Sequence, residues 1–486
     1  MVEISKNAND VVQYIKQTLD NPPDLIIKDF NIKKKKVFLL AIETMANSTY
    51  ISDFILEYFS FDIEEKKEKN FFKFLYHNIP TFKTNKLSKV DEIIYNLLSG
   101  FTIILIDGYQ LAISIETKEK LNSDIVETIN ERSTLGPKDG FTENYQTNIG
   151  LIRKRLKTSD LKIKEAIIGK LGKSKVAMIY LDSFVKKEIV DEVYNKIKNI
   201  NIDVIFDVQQ IIDLITENKK NTFPNYISTE RPDNVSSLLL TGRIAIVLEN
   251  VSYVAIIPIT LLDILQNVED RYTRPINASF NRIVRFLAFL ITILTPAIYV
   301  AMTTYNHETI PPKLLVSFST QRSGVPFATI IEALLMIITF EILKETDARS
   351  PNTFTNSLTI VGALVLGEAA VNAGIVSPIM VIVIAITSIS GLIITYLDIA
   401  NGVRLWRLIF LLGSSLAGFM GILIVGFIFI TNISCIKSFG TPFLSGVAPY
   451  YKNFIEDSLL LSFKNKFTRM VQRKIINPKK FGDEND

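Results

Sequence analysis

Between Leu358 and Leu397 the chain runs for forty residues with one charged side chain, Glu368. Forty helical residues at about 1.5 Å each cover roughly 60 Å, two crossings of a ~30 Å hydrocarbon core. The break between the two passes is expected at Ala373-Gly374-Ile375-Val376-Ser377-Pro378, where glycine and proline sit together and a helix ends or kinks. An irregular polar break inside an apolar span is tolerated only where protein or a water-filled cavity shields it. A lone carboxylate beside Gly367 and Asn372 in such a place is costly, and costly groups are kept for function. The expectation is a membrane core, preceded by a long stretch of soluble character that forms a water-facing sensor.

Charge is divided unevenly. The chain holds 54 Lys and Arg against 50 Asp and Glu, crowded into residues 1–285, and long uncharged runs follow. A net charge of +4, with no stretch interleaving basic and aromatic residues on one face, argues against nucleic acid as a partner. Cys435 is the only cysteine and His77 and His307 are the only histidines. An internal disulfide and a cysteine metal cluster are therefore excluded, and little remains for zinc or histidine catalysis; no cofactor is expected. The N-terminus is charged and polar without an apolar signal core, so the first domain is expected in the cytoplasm.

The soluble half reads as α/β. Val37–Glu43 is a buried strand, and Ser48–Tyr58 an amphipathic helix opened by a Ser/Thr cap. Val90–Leu98 is helical and leads into strands Phe101–Ile106 and Leu111–Ile115, which flank the hairpin signal Asp107-Gly108. The same order then returns. Val176–Leu181 ends in Asp182 as Val37–Ile42 ends in Glu43, and helix Lys186–Ile197 follows. Leu239-Leu240-Thr241-Gly242 matches Leu97-Leu98-Ser99-Gly100, and strands Ile244–Leu248 and Tyr253–Ile257 flank Glu249-Asn250. Two related α/β subdomains are inferred, joined by a turn at Gly136-Pro-Lys-Asp-Gly140 and a helix over Thr142–Leu156 whose basic end suits the helix dipole.

One phosphate-loop look-alike fails. Gly172-Lys173-Ser174 has Ile167 where the loop needs its earlier glycine, and strand Val176–Leu181 follows it instead of preceding it. With no nucleophile elbow, no metalloprotease helix and no paired catalytic carboxylates, no enzyme is expected.

In the second half, Arg271, Arg274, Arg282 and Arg285 gather before the uncharged run Phe286–Thr304, which is long enough to span once with those arginines cytoplasmic. Val325–Leu343 is apolar but carries Glu332 and Glu341. It reads either as a helix at an interface or buried in protein, or as a cavity-lining helix whose carboxylates meet cations. Nine residues separate them, so they fall on opposite faces of one helix. Leu408–Ile436 is uncharged and dotted with Gly413, Gly418, Gly421 and Gly426, small residues that let helices approach closely in lipid. The tail beyond Lys437 is basic and expected to be cytoplasmic. Five apolar runs would leave it outside, so four full crossings are favoured, with 325–343 or 358–397 spanning incompletely. The division expected is an N-terminal segment 1–29, subdomains 30–135 and 160–272 about a linker helix 136–159, an all-α polytopic transmembrane domain 273–436, and a basic tail 437–486.

Ordered motifs then carry a resemblance. Gly136-Pro-Lys-Asp-Gly-Phe-Thr-Glu-Asn144 with Thr147-Asn148-Ile149, Thr229-Glu-Arg-Pro-Asp233, Thr241-Gly-Arg243, Pro326-Phe327 with Glu332-Ala-Leu-Leu335, Gly367-Glu-Ala-Ala-Val-Asn-Ala-Gly-Ile-Val-Ser-Pro378, and Ser438-Phe-Gly-Thr-Pro442 occur in that order. Over most of residues 30–455 the chain resembles the A subunits of GerA-type spore germinant receptors, with Glu368 standing where glutamine is expected. The resemblance implies the inner membrane of a dormant spore, a transporter-like B subunit that holds the nutrient, a C-subunit lipoprotein, and a homo-oligomeric ring of A subunits around a monovalent cation path. The break and its polar residues place the gate in 358–397, with Gly374 and Pro378 as hinge and Glu368 or Asn372 as polar constriction, and Glu332 and Glu341 are the further candidates for the ion path. The alternative is a signalling or scaffold subunit that relays nutrient occupancy to a separate channel.

Overall fold

The computed structural model describes residues 3–32, 35–57, 71–79, 83–119, 128, 131, 133–216, 221–349, 365–394 and 396–448. Aliphatic and β-branched runs set the first sheet. Its strands are β1 Leu25–Ile32, β2 Lys35–Ile42, β3 Thr84–Leu87, β4 Phe101–Ile106 and β5 Ala112–Glu116, antiparallel in the order β1-β2-β4-β5-β3. The central strand β4 is buried along its whole length because helices cover both faces. On one face lie α1 Ala8–Leu19 and, past α2 Phe71–Asn78, α3 Val90–Leu97; Val11, Ile15 and Leu19 pack with Ile93, Leu97 and Leu40. The other face meets α2 and a helical turn at Ser48–Tyr50, continued as a π-helix over Ile51–Leu56. That turn is capped by Asn47, whose side chain accepts from the Tyr50 amide at 2.7 Å, and not by the serine expected.

The second sheet repeats the first. Strands β6 Leu161–Ile168, β7 Ser174–Leu181, β8 Ile227–Thr229, β9 Ile244–Leu248 and β10 Val254–Ile257 take the order β6-β7-β9-β10-β8, the same pattern with every strand in its corresponding place. One face carries α5 Lys187–Lys198 and α6 Val208–Ile215; the other carries α4 Tyr145–Arg155 and α7 Pro232–Leu239. The internal match reaches single residues. Gly100 (φ 86°) and Gly242 (φ 90°) end α3 and α7 in the left-handed conformation that turns the chain into β4 and β9. A side chain at Gly100 would also meet the Met45 carbonyl at 2.6 Å. Gly172-Lys173-Ser174 lies in the β6–β7 antiparallel connection.

The two sheet units are joined by charge. Arg153 in α4 is 1% exposed and grips Asp24, just ahead of β1, through Nε and Nη2 at 2.8 Å each. Lys162 Nζ adds a 2.7 Å bond to the Thr18 carbonyl at the end of α1.

The second half is a helical bundle: α8 Pro275–Thr304, α9 Pro312–Arg322, α10 Thr329–Arg349, a helical segment at 365–372, α11 Pro378–Leu392 and α12 Leu397–Cys435. Pro275–Thr304 and Asp398–Cys435 are long and apolar enough to cross a membrane. The second of these is not a rod. Ala417 (φ −142°, ψ 19°) and Gly418 (φ 57°, ψ −136°) leave helical geometry, and the chain folds back. Trp406 meets Phe429 edge to face at 4.9 Å between ring centres. A straight helix would hold them about 35 Å apart. Leu408–Ile436, expected as one crossing, therefore supplies the end of one hairpin arm and the whole of the next. Gly413 and Gly421 pack backbone to backbone between those arms.

Contacts fix which way each helix runs. The hairpin tip meets the end of α8, where the Phe419 amide donates to Asn306 Oδ1 at 3.2 Å. Its open end sits on the second sheet unit: Tyr226 donates to Asp398 at 2.8 Å, Thr222 to Asn432 at 2.9 Å, and Trp406 Nε1 to Thr222 at 2.9 Å. The chain is back at the sheet end by β11 Lys437–Ser438 and β12 Thr441–Pro442, with Phe439 in the second sheet's core. The fifth apolar run is thus folded on itself. α10 also runs between the two ends, from Thr329 beside Thr303 to Glu341 beside Arg407. Tail residues 449–486 lie outside the described residues.

Candidate functional site

Two places concentrate polar chemistry where burial makes it expensive: the junction between the second sheet unit and the bundle, and the break ahead of α11. At the junction the segment Thr229-Glu-Arg-Pro-Asp233 leaves β8 and enters α7, with Pro232 at the first helical position where a missing N–H costs nothing. Arg231, 1% exposed, forms a two-point pair with Asp233 at 3.0 and 2.9 Å and donates to the Pro137 carbonyl at 2.8 Å. Asp233 also accepts from Tyr272 at 2.6 Å, in the turn that leads to α8. Burial by itself would raise the Asp233 carboxyl, but the hydrogen bonds from Arg231 and Tyr272 and the charge of Arg231 outweigh it and hold it below the ordinary range.

A second knot repeats the theme. Arg243 donates to the Pro258 carbonyl at 3.1 Å, to Thr241 and to Asp263, and Asp263 caps the short helix at Leu261–Ile264 through Thr260. Asp270, fully buried, accepts from Arg282 at 2.9 Å and from Arg285 at 2.8 and 2.6 Å. Burial pushes its carboxyl up, and the two guanidinium groups more than reverse that. Glu131 goes the other way. Burial dominates over its bond from Thr229, and its carboxyl is raised from 4.5 to about 7.

At the break, Gly374 takes φ +66° and Pro378 opens α11 behind the N-cap Ser377. Glu332, buried in the first turn of α10, accepts from the Ser377 amide at 3.0 Å and its hydroxyl at 2.9 Å. Its other oxygen faces Arg322 at 3.7 Å. A carboxylate here stands at the positive end of the α11 dipole. Glu332 thus ties the N-cap residue of α11 to α10 through both its amide and its hydroxyl. Glu341 lies at the opposite end of α10, paired with Arg407 at 2.7 Å and Arg404 at 3.2 Å. Glu368 and Asn372 sit one turn apart on the 365–372 helix, both exposed. The structure therefore brings Glu332, Gly374 and Pro378 together, sends Glu341 elsewhere, and turns Glu368 and Asn372 outward.

Sequence reasoning named the motifs at the junction without seeing their pairing. In the sequence Arg282 and Arg285 stand as charges flanking an apolar run, and Asp270 is the signal of their pairing. Ser377 was recognised only as part of a break.

Two related sheet units are locked by buried ion pairs to a helical bundle that holds two helices long and apolar enough to cross a membrane. The profile of the Bacillus/Clostridium GerA spore germination proteins matches residues 13–474, and the chain belongs to that family. It is 33% identical over 461 residues to spore germination protein KA of Bacillus subtilis (strain 168), covering 94% of this chain and 85% of that one. It is 31% identical over 463 residues to spore germination protein GerLA of Bacillus cereus, covering 94% of each. An uncharacterized membrane protein of Bacillus subtilis, YfkQ, is 31% identical over 455 residues, covering 93% of this chain and 88% of that one. Among solved structures, the N-terminal domain of the A subunit of the Bacillus megaterium spore germinant receptor GerK3 matches 52% of this chain and 95% of its own, at 26% identity and a TM-score of 0.42.

Proposed function

We propose that this chain is the membrane-embedded A subunit of a nutrient-responsive germinant receptor, and that copies of it surround a monovalent cation path that opens at the start of germination. The observation that carries this is the outward face of residues 365–372. Glu368 and Asn372 are exposed there together, in a run otherwise without charge, one turn ahead of the break. A carboxylate facing hydrocarbon costs several kcal/mol, so it needs a neighbouring copy or water in front of it. Copies arranged about that face place a ring of carboxylates along a shared path, the device by which channels select cations. Gly374, Ser377 and Pro378, with Glu332 behind them, form the hinge on which the 365–372 segment moves against α11.

The junction supplies the transmission. Arg231–Asp233, Arg243–Asp263 and Asp270 with its two arginines couple the sheet unit to the entry of α8, and a shift in one moves the other. The family resemblance adds a transporter-like B subunit as nutrient holder and a lipoprotein C subunit, with the sheet units on the cytoplasmic side of the inner spore membrane. That same junction favours a second reading, in which the chain only relays occupancy to a separate channel. Reconstitution of the purified chain in potassium-loaded liposomes separates them. Potassium efflux that falls in Glu368→Ala supports the channel. A folded oligomer that stays tight, alone and with its partner subunits, supports the relay.

A further inference from the structure

At the sheet end of the bundle lies a cavity of about 230 Å³ between α8, α10, the end of α11 and the first hairpin arm. Its described lining includes Lys344, Arg404 and Arg407, and no carboxylate. Glu341 balances part of this charge from outside the lining, at 2.7 Å from Arg407, 3.2 Å from Arg404 and 3.9 Å from Lys344. Three cations against that one carboxylate leave a positive excess. Arg407 is 3% exposed, and its Nε has no hydrogen-bond partner among the described residues. A buried guanidinium N–H without an acceptor is costly, and a planar donor pair next to an ammonium is the geometry that phosphate oxygens satisfy. The rest of the wall is short or apolar: Thr292, Gly391, Ala400 and Val403 leave the space that the cations do not fill. At Gly391 a side chain would touch Thr292 at 3.5 Å and come within 3.9 Å of Lys344 Nζ.

We infer that this cavity is a binding site for a phosphate-bearing anion, held by Arg407, Arg404 and Lys344 against the foot of the hairpin. Two sources share that chemistry: the headgroup of an anionic phospholipid and free inorganic phosphate. The lipid source rests on the membrane reading above, since it requires this end of the bundle to lie at the cytoplasmic leaflet, where basic pockets between helices take anionic headgroups. The phosphate source does not. Occupancy would tie α10 and α11 to the first hairpin arm, and through Tyr226 and Asp398 to the second sheet unit.

The test is thermal unfolding of the purified full chain in detergent micelles, titrated at constant ionic strength with short-chain phosphatidylglycerol, short-chain phosphatidylcholine or sodium phosphate. Two variants accompany the wild type. Lys344→Gln removes a cation whose ion pair among the described residues is the long one to Glu341, and Ala400→Leu fills the space without touching charge. A specific ligand at 100 times its Kd raises stability by about 2.7 kcal/mol, a shift of a few degrees in Tm for a chain of this size. The expected result is a rise with phosphatidylglycerol, none with phosphatidylcholine, and loss of the rise in both variants. A rise with sodium phosphate that the variants also abolish assigns the same site to free anion, whatever becomes of the membrane reading. Equal shifts with both lipids, or a phosphatidylglycerol shift that survives both variants, would overturn the inference.

Discussion

Glu332 Oε2 lies 3.0 Å from the backbone nitrogen of Ser377 and 2.9 Å from its hydroxyl, so one buried carboxylate closes the start of α11 from the neighbouring helix. The bond ties the α11 side of the break to α10. Bonds of this charge-assisted type contribute about 1.5–3 kcal/mol when an ionised acceptor is buried. Glu332→Gln keeps the shape and loses the charge. The expected result is a stability loss of about 1–2 kcal/mol and a receptor that releases cations with less nutrient, read as a leftward shift of its dose–response. Glu332→Asp, too short to reach, should behave alike; an unchanged response in both would remove the break from the gate.

Arg153 and Asp24 predict a different kind of defect. Each is almost fully buried, so removing one leaves the other charged and unpaired, at a cost of about 3–5 kcal/mol. Arg153→Met and Asp24→Leu should each lower the yield of folded protein sharply. The double variant, with an apolar pair in place of the ionic one, should recover most of it. Denaturation of all four species measures the coupling; additive losses would mean that the pair does not join the two sheet units.

Gly418 holds the hairpin tip. A side chain there meets Asn306 Oδ1 at 2.5 Å, and the backbone at φ 57°, ψ −136° is one that residues with a Cβ rarely adopt. Gly418→Ala should cost about 1–3 kcal/mol from backbone strain alone. Trp406 is the only tryptophan and packs on Phe429 across the hairpin, which makes it the reporter. Its emission should shift to the red in Gly418→Ala and in Gly421→Ala. Wild-type emission in both would mean that the two arms do not depend on these glycines.

Glu131 gives the junction a pH dependence. Its carboxyl is raised in the folded protein from 4.5 to about 7, so between those values the folded state holds a proton that the unfolded chain has released. Stability should therefore fall as pH rises from 4.5 to about 7 and then level off. The slope from this group is at most about 1.4 kcal/mol per pH unit. Subtracting the Glu131→Gln profile from the wild-type profile isolates it. A flat difference would place Glu131 in water.

What was legible in the sequence follows from range. Strands β4, β7, β9 and β10 lie within a residue or two of their expected positions, because buried strands are uninterrupted aliphatic runs between turn residues. The internal repeat was legible for the same reason, and the two strand orders agree with it. The edge strands β1, β3, β6 and β8 are not among the expected elements: β3 and β8 are very short, and β1 and β6 interrupt their aliphatic residues with lysine and an acidic residue. Helix α1 was readable in principle from the Asn7 cap and the spacing of Val11, Val12, Ile15 and Leu19. The hairpin was not. Ala417-Gly418 lies in an uncharged run where glycines also serve helix contact, and no local residue distinguishes a tip from an interface. Arg153 suited a helix dipole until Asp24, 129 residues away, came into contact with it.

The cation path rests most directly on Glu368, and charge reversal tests it. Planar-bilayer recordings of the purified receptor under a potassium chloride gradient give a reversal potential that reports the sign of the permeant ion. A ring of Glu368 carboxylates predicts cation selectivity, and Glu368→Lys predicts a reversal potential moved toward that of chloride. The same reversal potential and conductance in both proteins would contradict the account, and would put the path, if the chain has one, on another face of the bundle.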